Sequence, residues 1–250
     1  MLSGGLRTKG IIKQTQKNMP LITVVTVVRN GEKTLEQTIL SVINQTYRNI
    51  EYIIIDGAST DGTLDIIKKY GDKVDYWVSE KDKGIYDAMN KGISLATGDF
   101  IALLNSDDWY ESNACEIIVN KINEVVADVY YGMMRVIDEK GSPLYVYGFT
   151  EQSLFKNMIA HPTCFIKNSI YKLYQYDTKY KSSGDYDFMI RLKQNNCNFF
   201  FIECIFVNFR LGGMSDSKLG EIEANNIRWK YRLINPIRYL LKNIYLLLFK

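Results

Sequence analysis

The sequence contains little of what metal knuckles, disulfide scaffolds and redox motifs require. It has one histidine, His161, and four cysteines, none of which forms a CxxC pair: Cys115, Cys164, Cys197 and Cys204. These absences argue against a structural zinc site and against a disulfide framework. Isolated cysteines with mostly apolar neighbours are typical of proteins of the reducing cytosol.

Long apolar segments are also missing. No run of 18 or more apolar residues occurs, so no spanning helix is predicted. The first twenty residues lack the continuous apolar segment of a secretory signal. We therefore expect a cytoplasmic protein.

Acidic residues are absent from both ends of the chain. Residues 1–19 carry four basic side chains, residues 224–250 carry six, and neither range contains Asp or Glu. The remaining 21 basic residues face all 28 acidic residues within 20–223, which gives that range a net charge of −7. An acidic body is a poor nucleic-acid binder and is better suited to metal and phosphate, whereas basic ends favour an anionic surface.

The first half of the chain alternates strands with helices. Apolar, β-branched runs predict strands at 21–28, 50–55, 76–79 and 100–104. Helices are predicted after each of the first three strands, with a capping box at 34–37 and a helix-ending glycine at Gly98. The order βαβαβαβ predicts a mostly parallel, Rossmann-like α/β sheet with right-handed crossovers.

The alternation of strands and helices ends after Asp108. The patterns predict a helix at 114–125, a hairpin with strands at 129–137 and 144–147, a strand around 163–166 and a helix at 186–193. We expect a basic N-terminal segment (1–19), one domain of two halves (20–110 and 111–220) and a basic tail (221–250). The second half is expected to be mixed and to complete a pocket.

Carboxylates follow several predicted strands. Asp56 ends the second strand, Asp107 and Asp108 follow the fourth, and the acidic loop 80–84 follows the third. Ligands of open parallel sheets bind at the carboxyl ends of the strands, so these groups should meet on one rim. Oxygen ligands there favour Mg²⁺ or Mn²⁺ carrying substrate phosphates. The alternative for the Asp107–Asp108 pair is a solvated turn.

Three segments resemble family 2 glycosyltransferases: DGASTDGT (56–63), DKGIYDAMNKGISLATGDFIALLNSDD (82–108) and SGDYDFMIRL (183–192). The resemblance implies a GT-A fold and an inverting hexosyl- or hexosaminyltransferase of the kind that assembles bacterial surface polysaccharides. It further implies a nucleotide-diphospho-sugar donor, usually UDP-linked, a Mn²⁺ or Mg²⁺ cofactor and a glycan or lipid-linked acceptor.

The resemblance also implies roles for individual residues. Asp56 matches the nucleoside-binding acid, Asp82 a residue of the base-binding rim, and Asp185 the catalytic base. Asn105, Ser106 and Asp107 match the family's D-x-D, in which Asp107 holds the metal on the diphosphate. The sequence departs from the family pattern at Asn105, which replaces an aspartate, and at Gly184, which replaces the glutamate that often precedes the base.

Alternatives remain open at several positions. Asp187 is a second candidate for the base, or a first-turn carboxylate stabilised by the helix dipole. His161 could contact the acceptor or diphosphate, or pack in a turn. Trp109 and Tyr110 could stack on a sugar, although core packing is favoured. The segment Arg210–Ser215 resembles a loop that closes over the donor, with an ordinary surface turn as the alternative.

Two rival enzymes are excluded and one rival function is not. Val28–Glu32 lacks the glycine-rich loop of sugar nucleotidyltransferases. A haloacid-dehalogenase-type phosphatase carries its aspartate pair after the first strand, not the fourth. A non-catalytic module that binds sugar or nucleotide at a membrane stays open.

The C-terminal segment 233–250 has the pattern of an amphipathic helix. Pro236 suits its first turn, and one face collects the apolar residues Ile237, Leu240, Leu241, Ile244 and Leu248. Basic residues and tyrosines flank that face: Arg238, Tyr239, Lys242, Tyr245 and Lys250. We expect this helix to lie in the inner membrane interface. The alternatives are packing on the chain's own core or on a second subunit in a homodimer.

Overall fold

The computed structural model describes residues 1–212 and 217–249. The strands are β1 (Leu2–Gly4), β2 (Ile22–Val28), β3 (Ile50–Asp56), β4 (Tyr76–Ser79), β5 (Phe100–Leu103), β6 (Trp109–Tyr110), β7 (Val129–Ile137), β8 (Pro143–Tyr147), β9 (Phe165–Lys167) and β10 (Phe199–Arg210). The helices are α1 (Leu35–Ile43), α2 (Thr63–Lys69), α3 (Ile85–Leu95), α4 (Ala114–Glu124), α5 (Asn168–Leu173), α6 (Gly184–Gln194), α7 (Lys218–Lys230) and α8 (Pro236–Phe249).

The strands form one sheet in the order β1-β4-β3-β2-β5-β9-β7-β10-β6, with β8 paired to β7. In the first half, β2 lies between β3 and β5, and β4 follows β3, all in parallel register. Val28 lies opposite Asp56, and Asp56 opposite Ser79, so these strands end on one edge. The predicted parallel half is therefore confirmed.

The sheet is buried on both faces. Ile22 and Val24 of β2 face α1, α2 and α4, whereas Val25 and Val27 face α3, α6 and α7. Strand side chains alternate between faces, so an unbroken β-branched run such as β2 fits a strand covered on both sides. The result is a three-layer α/β/α arrangement.

The second half is mixed, as expected. Strand β9 pairs antiparallel with both β5 and β7, whereas β10 pairs parallel with β7 and antiparallel with β6. The predicted hairpin of β7 and β8 is confirmed, and Gly141 in its turn has φ of 90°. The long strand β10 was not predicted, and it carries the second half to the rim of the first.

Two local predictions are wrong. Thr34 makes no side-chain cap at the start of α1, and Gln37, the reciprocal residue of the box, instead accepts a hydrogen bond from the Arg210 guanidinium at 3.0 Å. Gly98 does not end a helix, because α3 already stops at Leu95. A Cβ on Gly98 would lie 2.6 Å from the Leu21 carbonyl oxygen, so this glycine permits close backbone packing against the start of β2.

The basic N-terminal segment is tied to the sheet. Strand β1 pairs with β4, and the Arg7 guanidinium binds the carboxylate of Glu51, which is 1% exposed. Lys13 Nζ lies 2.8 Å from the buried carboxylate of Asp75. These two cations therefore neutralise carboxylates of the chain itself, contrary to the expectation of an external anionic contact.

Removing the Arg7 charge should destabilise the fold, because Glu51 would stay buried without its cation. Burial raises the pKa of Glu51, but hydrogen bonds from Thr23, Thr97 and Arg7 outweigh it and hold that pKa below its usual 4.5. We expect Arg7→Met to lower the free energy of unfolding at pH 7 by about 3 kcal/mol in urea titrations.

The matched control is Lys9→Met, which removes an exposed cation of the same segment. Since the pKa of Glu51 is lowered on folding, its contribution is present above pH 4.5 and is lost as pH falls through the folded pKa. Equal stability of Arg7→Met and Lys9→Met at pH 7 would contradict the pairing.

Candidate active site

The loops that follow β2 and β3 are joined by hydrogen bonds. Asn30 N donates to Ser59 Oγ at 2.7 Å, and Thr60 N donates back to Asn30 Oδ1 at 2.9 Å. Asn30 has φ of 55°, a left-handed conformation that asparagine tolerates better than most residues. The two loops therefore form one fixed edge at the carboxyl ends of these strands.

Asp56 is fully buried beneath this edge. Its carboxylate accepts hydrogen bonds from Ser59 N at 3.2 Å and from Ser79 Oγ at 2.6 Å, besides the Ser59 hydroxyl. Burying a carboxylate without partners is costly, and these serines supply donors without a cation. Asp56 is thus held in one orientation at the end of β3.

Asp82 lies directly against the same edge. A Cβ on Gly57 would lie 2.4 Å from Asp82 Oδ2, so only a glycine after Asp56 lets this carboxylate approach. Asp82 Oδ1 accepts a hydrogen bond from Gly84 N at 2.9 Å, which shapes the turn into α3. The predicted donor-binding residues Asp56 and Asp82 are therefore neighbours.

The segment Asn105–Asp108 follows β5 and meets the loop after β2. A Cβ on Gly31 would lie 3.4 Å from Ser106 Oγ. Asp108 is fully buried, and its Oδ1 accepts a hydrogen bond from Arg210 N at 3.0 Å. Asp107 is only half-buried, so it is the member of the pair that a ligand can reach.

The environment of Asp107 and Asp108 disfavours the charged form of both carboxyl groups. Burial raises the pKa of Asp107, and the Arg210 charge only partly offsets this effect. Burial, and then the charge of Asp107, raise the pKa of Asp108 well above its usual value. A cation bound at Asp107 would relieve both effects, which argues against the alternative of a solvated turn.

Asp185 lies in the first turn of α6, where the helix dipole stabilises a carboxylate. Its Oδ1 accepts hydrogen bonds from Tyr186 N at 2.9 Å and from the hydroxyl of Tyr86 in α3 at 3.2 Å. Asp185 is half-buried. Within the described residues no hydrogen bond reaches its Oδ2, which leaves that oxygen for a substrate hydroxyl.

The backbone before Asp185 is fixed from α7. The Glu223 carboxylate accepts hydrogen bonds from the backbone N–H groups of Lys181, Ser182 and Ser183, at 2.8, 2.9 and 2.9 Å. Lys181 Nζ also donates to the Lys83 carbonyl oxygen at 3.4 Å. This contact joins the start of α6 to the Asp82 loop.

Asp187, the second candidate for the base, has a different environment. It is 1% exposed, and its carboxylate accepts hydrogen bonds from Arg191 and Lys230, both at 2.8 Å, and from Tyr180 and Tyr231, both at 3.0 Å. Burial raises its pKa, but these donors outweigh burial and lower it. This carboxylate binds α6 to α7 and has no free oxygen for a substrate.

His161 is buried, and its Nε2 lies 2.8 Å from the hydroxyl of Tyr176. Burial lowers its pKa, while the charge of Asp185 acts in the opposite direction. His161 therefore lies behind Asp185 in an aromatic layer. This environment favours the packed-turn alternative over contact with an acceptor.

Trp109 and Tyr110 form β6. Tyr110 is 3% exposed and stacks on Phe165, so it belongs to the core. The Arg210 guanidinium lies 5.1 Å from the Trp109 ring, which is half-buried. Of the predicted closing loop, Arg210, Leu211 and Gly212 are described, whereas residues 213–215 lie outside the described residues.

At the end of β5, Asp107 is the accessible carboxylate that a divalent metal ion would meet. No group of three metal-ligating side chains occurs within residues 1–212 and 217–249. Asp107, with the Asn105 side chain nearby, supplies hard oxygen atoms, and a donor diphosphate would have to supply the rest. The strained Asp107–Asp108 pair fits that arrangement.

Sequence reasoning missed three contributors to the site. Ser79 and Tyr86 donate to Asp56 and Asp185, and Glu223 fixes the backbone before Asp185. Ser79 could have been found from the register that sets the end of β4 beside Asp56. Tyr86 and Glu223 carry no such signal, because they act across long sequence separations.

Comparison with known proteins gives the family. Residues 23–196 match the family described as glycosyl transferase family 2. An uncharacterized glycosyltransferase of Methanocaldococcus jannaschii is 29% identical over 232 residues, covering 87% of this chain and 80% of the relative. A PGL/p-HBAD biosynthesis glycosyltransferase of Mycobacterium tuberculosis is 29% identical over 184 residues, covering 70% of this chain and 71% of the relative.

The fold is similar to solved glycosyltransferases. For S. aureus TarS 1-349 in complex with UDP-GlcNAc, the TM-score is 0.70 at 19% identity, covering 90% of this chain and 70% of that one. For the mannosyltransferase PcManGT from Pyrobaculum calidifontis, in complex with GDP-Man and Mn²⁺, the TM-score is 0.64 at 15% identity. The match covers 92% of this chain and 70% of PcManGT. The predicted GT-A fold is confirmed.

The chain therefore belongs to glycosyl transferase family 2, since the family match extends over most of its length. It is a glycosyltransferase, which decides between the enzyme and the non-catalytic binding module that the sequence had left open.

The contrast between Asp185 and Asp187 gives a stability prediction. Asp187→Asn should lower the free energy of unfolding by about 3 kcal/mol, because two cations and two hydroxyls lose a buried anion. Asp185→Asn should change it by less than about 1 kcal/mol, because its carboxylate is half-exposed and pairs with no cation. Urea titrations of both variants measure this difference, and equal losses would contradict the structural role of Asp187.

Proposed function

We propose that this protein is an inverting glycosyltransferase that moves a hexosyl or hexosaminyl group from a UDP-sugar to a hydroxyl of a glycan or lipid-linked acceptor. The observation that carries the proposal is the pairing of two unlike carboxylate sites. The carboxyl ends of the parallel strands carry Asp56, Asp82 and Asp107. Asp185 lies apart from them at the start of α6, and its Oδ2 accepts no hydrogen bond within the described residues.

On the donor side, we assign Asp56 and Asp82 to the nucleoside. Asp56 is held in one orientation by Ser59 and Ser79, beneath the loop edge that the base or ribose would meet. Asn105 and Ser106 would face the ribose and diphosphate beside Gly31. The UDP-GlcNAc complex of the TarS relative supports a nucleotide-sugar donor, and its uridine favours UDP.

The cofactor we propose is Mn²⁺ or Mg²⁺, held by Asp107. The Mn²⁺ in the PcManGT complex supports a divalent ion in this fold. Such an ion would neutralise the negative charge that develops on the departing nucleoside diphosphate. Arg210, whose charge already acts on Asp107, would add to that stabilisation.

On the acceptor side, we assign Asp185 as the general base. Its Oδ2 would accept the proton of the attacking hydroxyl while that oxygen approaches the anomeric carbon from the face opposite the diphosphate. General-base catalysis of this kind contributes about 10²- to 10⁴-fold. A single displacement needs no second nucleophile and inverts the anomeric configuration.

We further propose that the enzyme works peripherally at the inner membrane surface, where surface-polysaccharide acceptors are lipid-linked. No helix within the described residues is long and apolar enough to span a bilayer. Helix α8 packs on α7 through Asn225, Trp229 and Leu246. Its opposite face leaves apolar side chains exposed by 44 to 71%: Ile237, Leu240, Leu241, Ile244 and Leu248.

The exposure of this face supports an external partner over packing on the chain's own core. Arg238 of α8 is also exposed, whereas Lys242 pairs with Glu221 at 2.8 Å and Lys250 lies outside the described residues. An exposed apolar stripe on a helix that also carries an exposed arginine suits an anionic lipid interface, where each basic residue adds on the order of 1 kcal/mol. A second copy of the chain is the competing occupant.

The donor assignment is tested by nucleotide binding. Wild-type protein should bind UDP in a Mn²⁺-dependent way in calorimetry, and a saturating donor at 100 times Kd should add about 2.7 kcal/mol of stability. Asp107→Asn should weaken Mn²⁺-dependent UDP binding at least tenfold, because it removes the proposed metal ligand. The control is Asp65→Asn, whose side chain is 88% exposed on α2. Unchanged UDP affinity in Asp107→Asn would overturn the assignment.

The membrane proposal is tested by flotation with anionic liposomes at low salt. Leu240→Glu/Leu248→Glu should lose flotation, because two acidic groups would enter the apolar stripe. The matched control is Val126→Glu/Leu173→Glu, which adds the same charge at apolar residues exposed by 85% and 74% elsewhere. If wild type stays in the soluble fraction and forms dimers that the α8 variant disrupts, a second copy covers the helix.

A further inference from the structure

We propose that Tyr86 is a positioning residue for Asp185 and that Gly184 is required because the Tyr86 ring occupies the space of its missing side chain. The inference rests on Asp185 being the catalytic base. It gives a physical reason for the glycine at position 184.

The first observation is the packing of Tyr86 on the start of α6. An ideal Cβ on Gly184 would lie 2.8 to 3.0 Å from three atoms of the Tyr86 ring. Real Cβ atoms do not approach that closely, so any side chain at 184 would displace the ring. Gly184 is fully helical and buried, so the ring, and not backbone strain, explains the glycine.

The second observation is the hydrogen bond that this packing allows. Tyr86 is 3% exposed, and its hydroxyl donates to Asp185 Oδ1 at 3.2 Å. Burial, and then the charge of Asp185, raise the pKa of Tyr86, so the phenol stays protonated and can only donate to the carboxylate. The bond falls on Oδ1 and leaves Oδ2 without a hydrogen bond from the described residues.

The third observation is that the Tyr86 ring is fixed from behind. It stacks on Tyr176 with ring centroids 5.6 Å apart, and Tyr176 stacks on Phe188 of α6 at 4.4 Å. The ring also lies two residues after Gly84, whose N–H is bonded to Asp82. Tyr86 therefore connects the donor-side loop to the orientation of the base.

Other groups face Asp185 and remain in place when the Tyr86 hydroxyl is removed. The titratable ones whose charge interaction reaches Asp185 are Tyr147, His161, Cys164 and Tyr176. The nearby cation Arg228 stacks on the Tyr186 ring at 5.1 Å. A loss of kcat in Tyr86→Phe would therefore report the lost phenol, and not the loss of another neighbour of Asp185.

The primary test is Tyr86→Phe in the full-length enzyme, which keeps the ring and removes the hydroxyl. We expect kcat to fall about tenfold, because a hydrogen bond to the charged base is lost. The donor Kd should stay within twofold. Tyr171→Phe is the matched control: it removes another buried hydroxyl of the same aromatic layer, and should leave both readouts unchanged.

The second test couples the two residues. Gly184→Ala should lower kcat in the wild-type background, because the added methyl pushes the ring away from Asp185. In the Tyr86→Phe background the same change should cost much less, because the hydroxyl contact is already gone. Equal fold-losses in both backgrounds would overturn the link between the two positions. Tyr86→Phe with wild-type kcat would overturn the positioning role.

The kcat values of Asp185→Asn and Tyr86→Phe distinguish a failure of the proposed function from a failure of this inference. If Asp185→Asn keeps wild-type kcat, Asp185 is not the base, and the proposed mechanism and this inference both fall. If Asp185→Asn loses activity and Tyr86→Phe does not, only the positioning role of Tyr86 falls.

Discussion

The burial of carboxylates at the ends of parallel strands is the constraint on which the site depends. Because β2, β3 and β4 run in parallel register, Asp56 and Ser79 end side by side on one edge. Serine hydroxyls and a backbone N–H group satisfy Asp56 without a cation, so this buried carboxylate is stable without a metal ion. Within the described residues Asp107 has no comparable set of donors, and it is the carboxylate that a metal would stabilise.

The second half of the chain completes this edge from two sides. Strand β10 brings Arg210 to Asp108 through a backbone hydrogen bond, so the end of β5 and the end of β10 are joined. Helix α7 fixes the start of α6 through Glu223, and α3 contacts it through Tyr86. Asp185 and the edge that carries Asp56 and Asp107 are therefore placed by different elements, which are joined at the Asp82 loop.

Much of this architecture could be predicted from the sequence. Apolar runs that end in carboxylates mark β3 and β5, and local periodicity is sufficient to find the helices between the strands. The motifs that resemble family 2 point to Asp56, Asp107 and Asp185, and the structure gives each a distinct environment. The exposed stripe of α8 also follows from helical spacing alone.

What the sequence does not reveal depends on contacts between distant residues. The mostly apolar run 199–209, interrupted by Glu203, cannot be assigned to a strand or a buried helix by periodicity alone. Strand β10 is recognised only once β7 lies beside it. The capping box at Thr34 satisfies the local pattern, yet the Gln37 side chain accepts a hydrogen bond from Arg210, a residue that is distant in sequence. Asp185 and Asp187 look alike in sequence, and only the cations of α6 and α7 around Asp187 distinguish them.

The configuration of the first product anomer tests the central claim, a single displacement assisted by one base, most directly. An α-linked UDP-hexose that the enzyme hydrolyses slowly without an acceptor can be followed by proton NMR before the free sugar mutarotates. The account predicts that the β-anomer of the hexose forms first, because water attacks from the face opposite the diphosphate. The α-anomer as the first product would contradict it, since retention requires a second displacement.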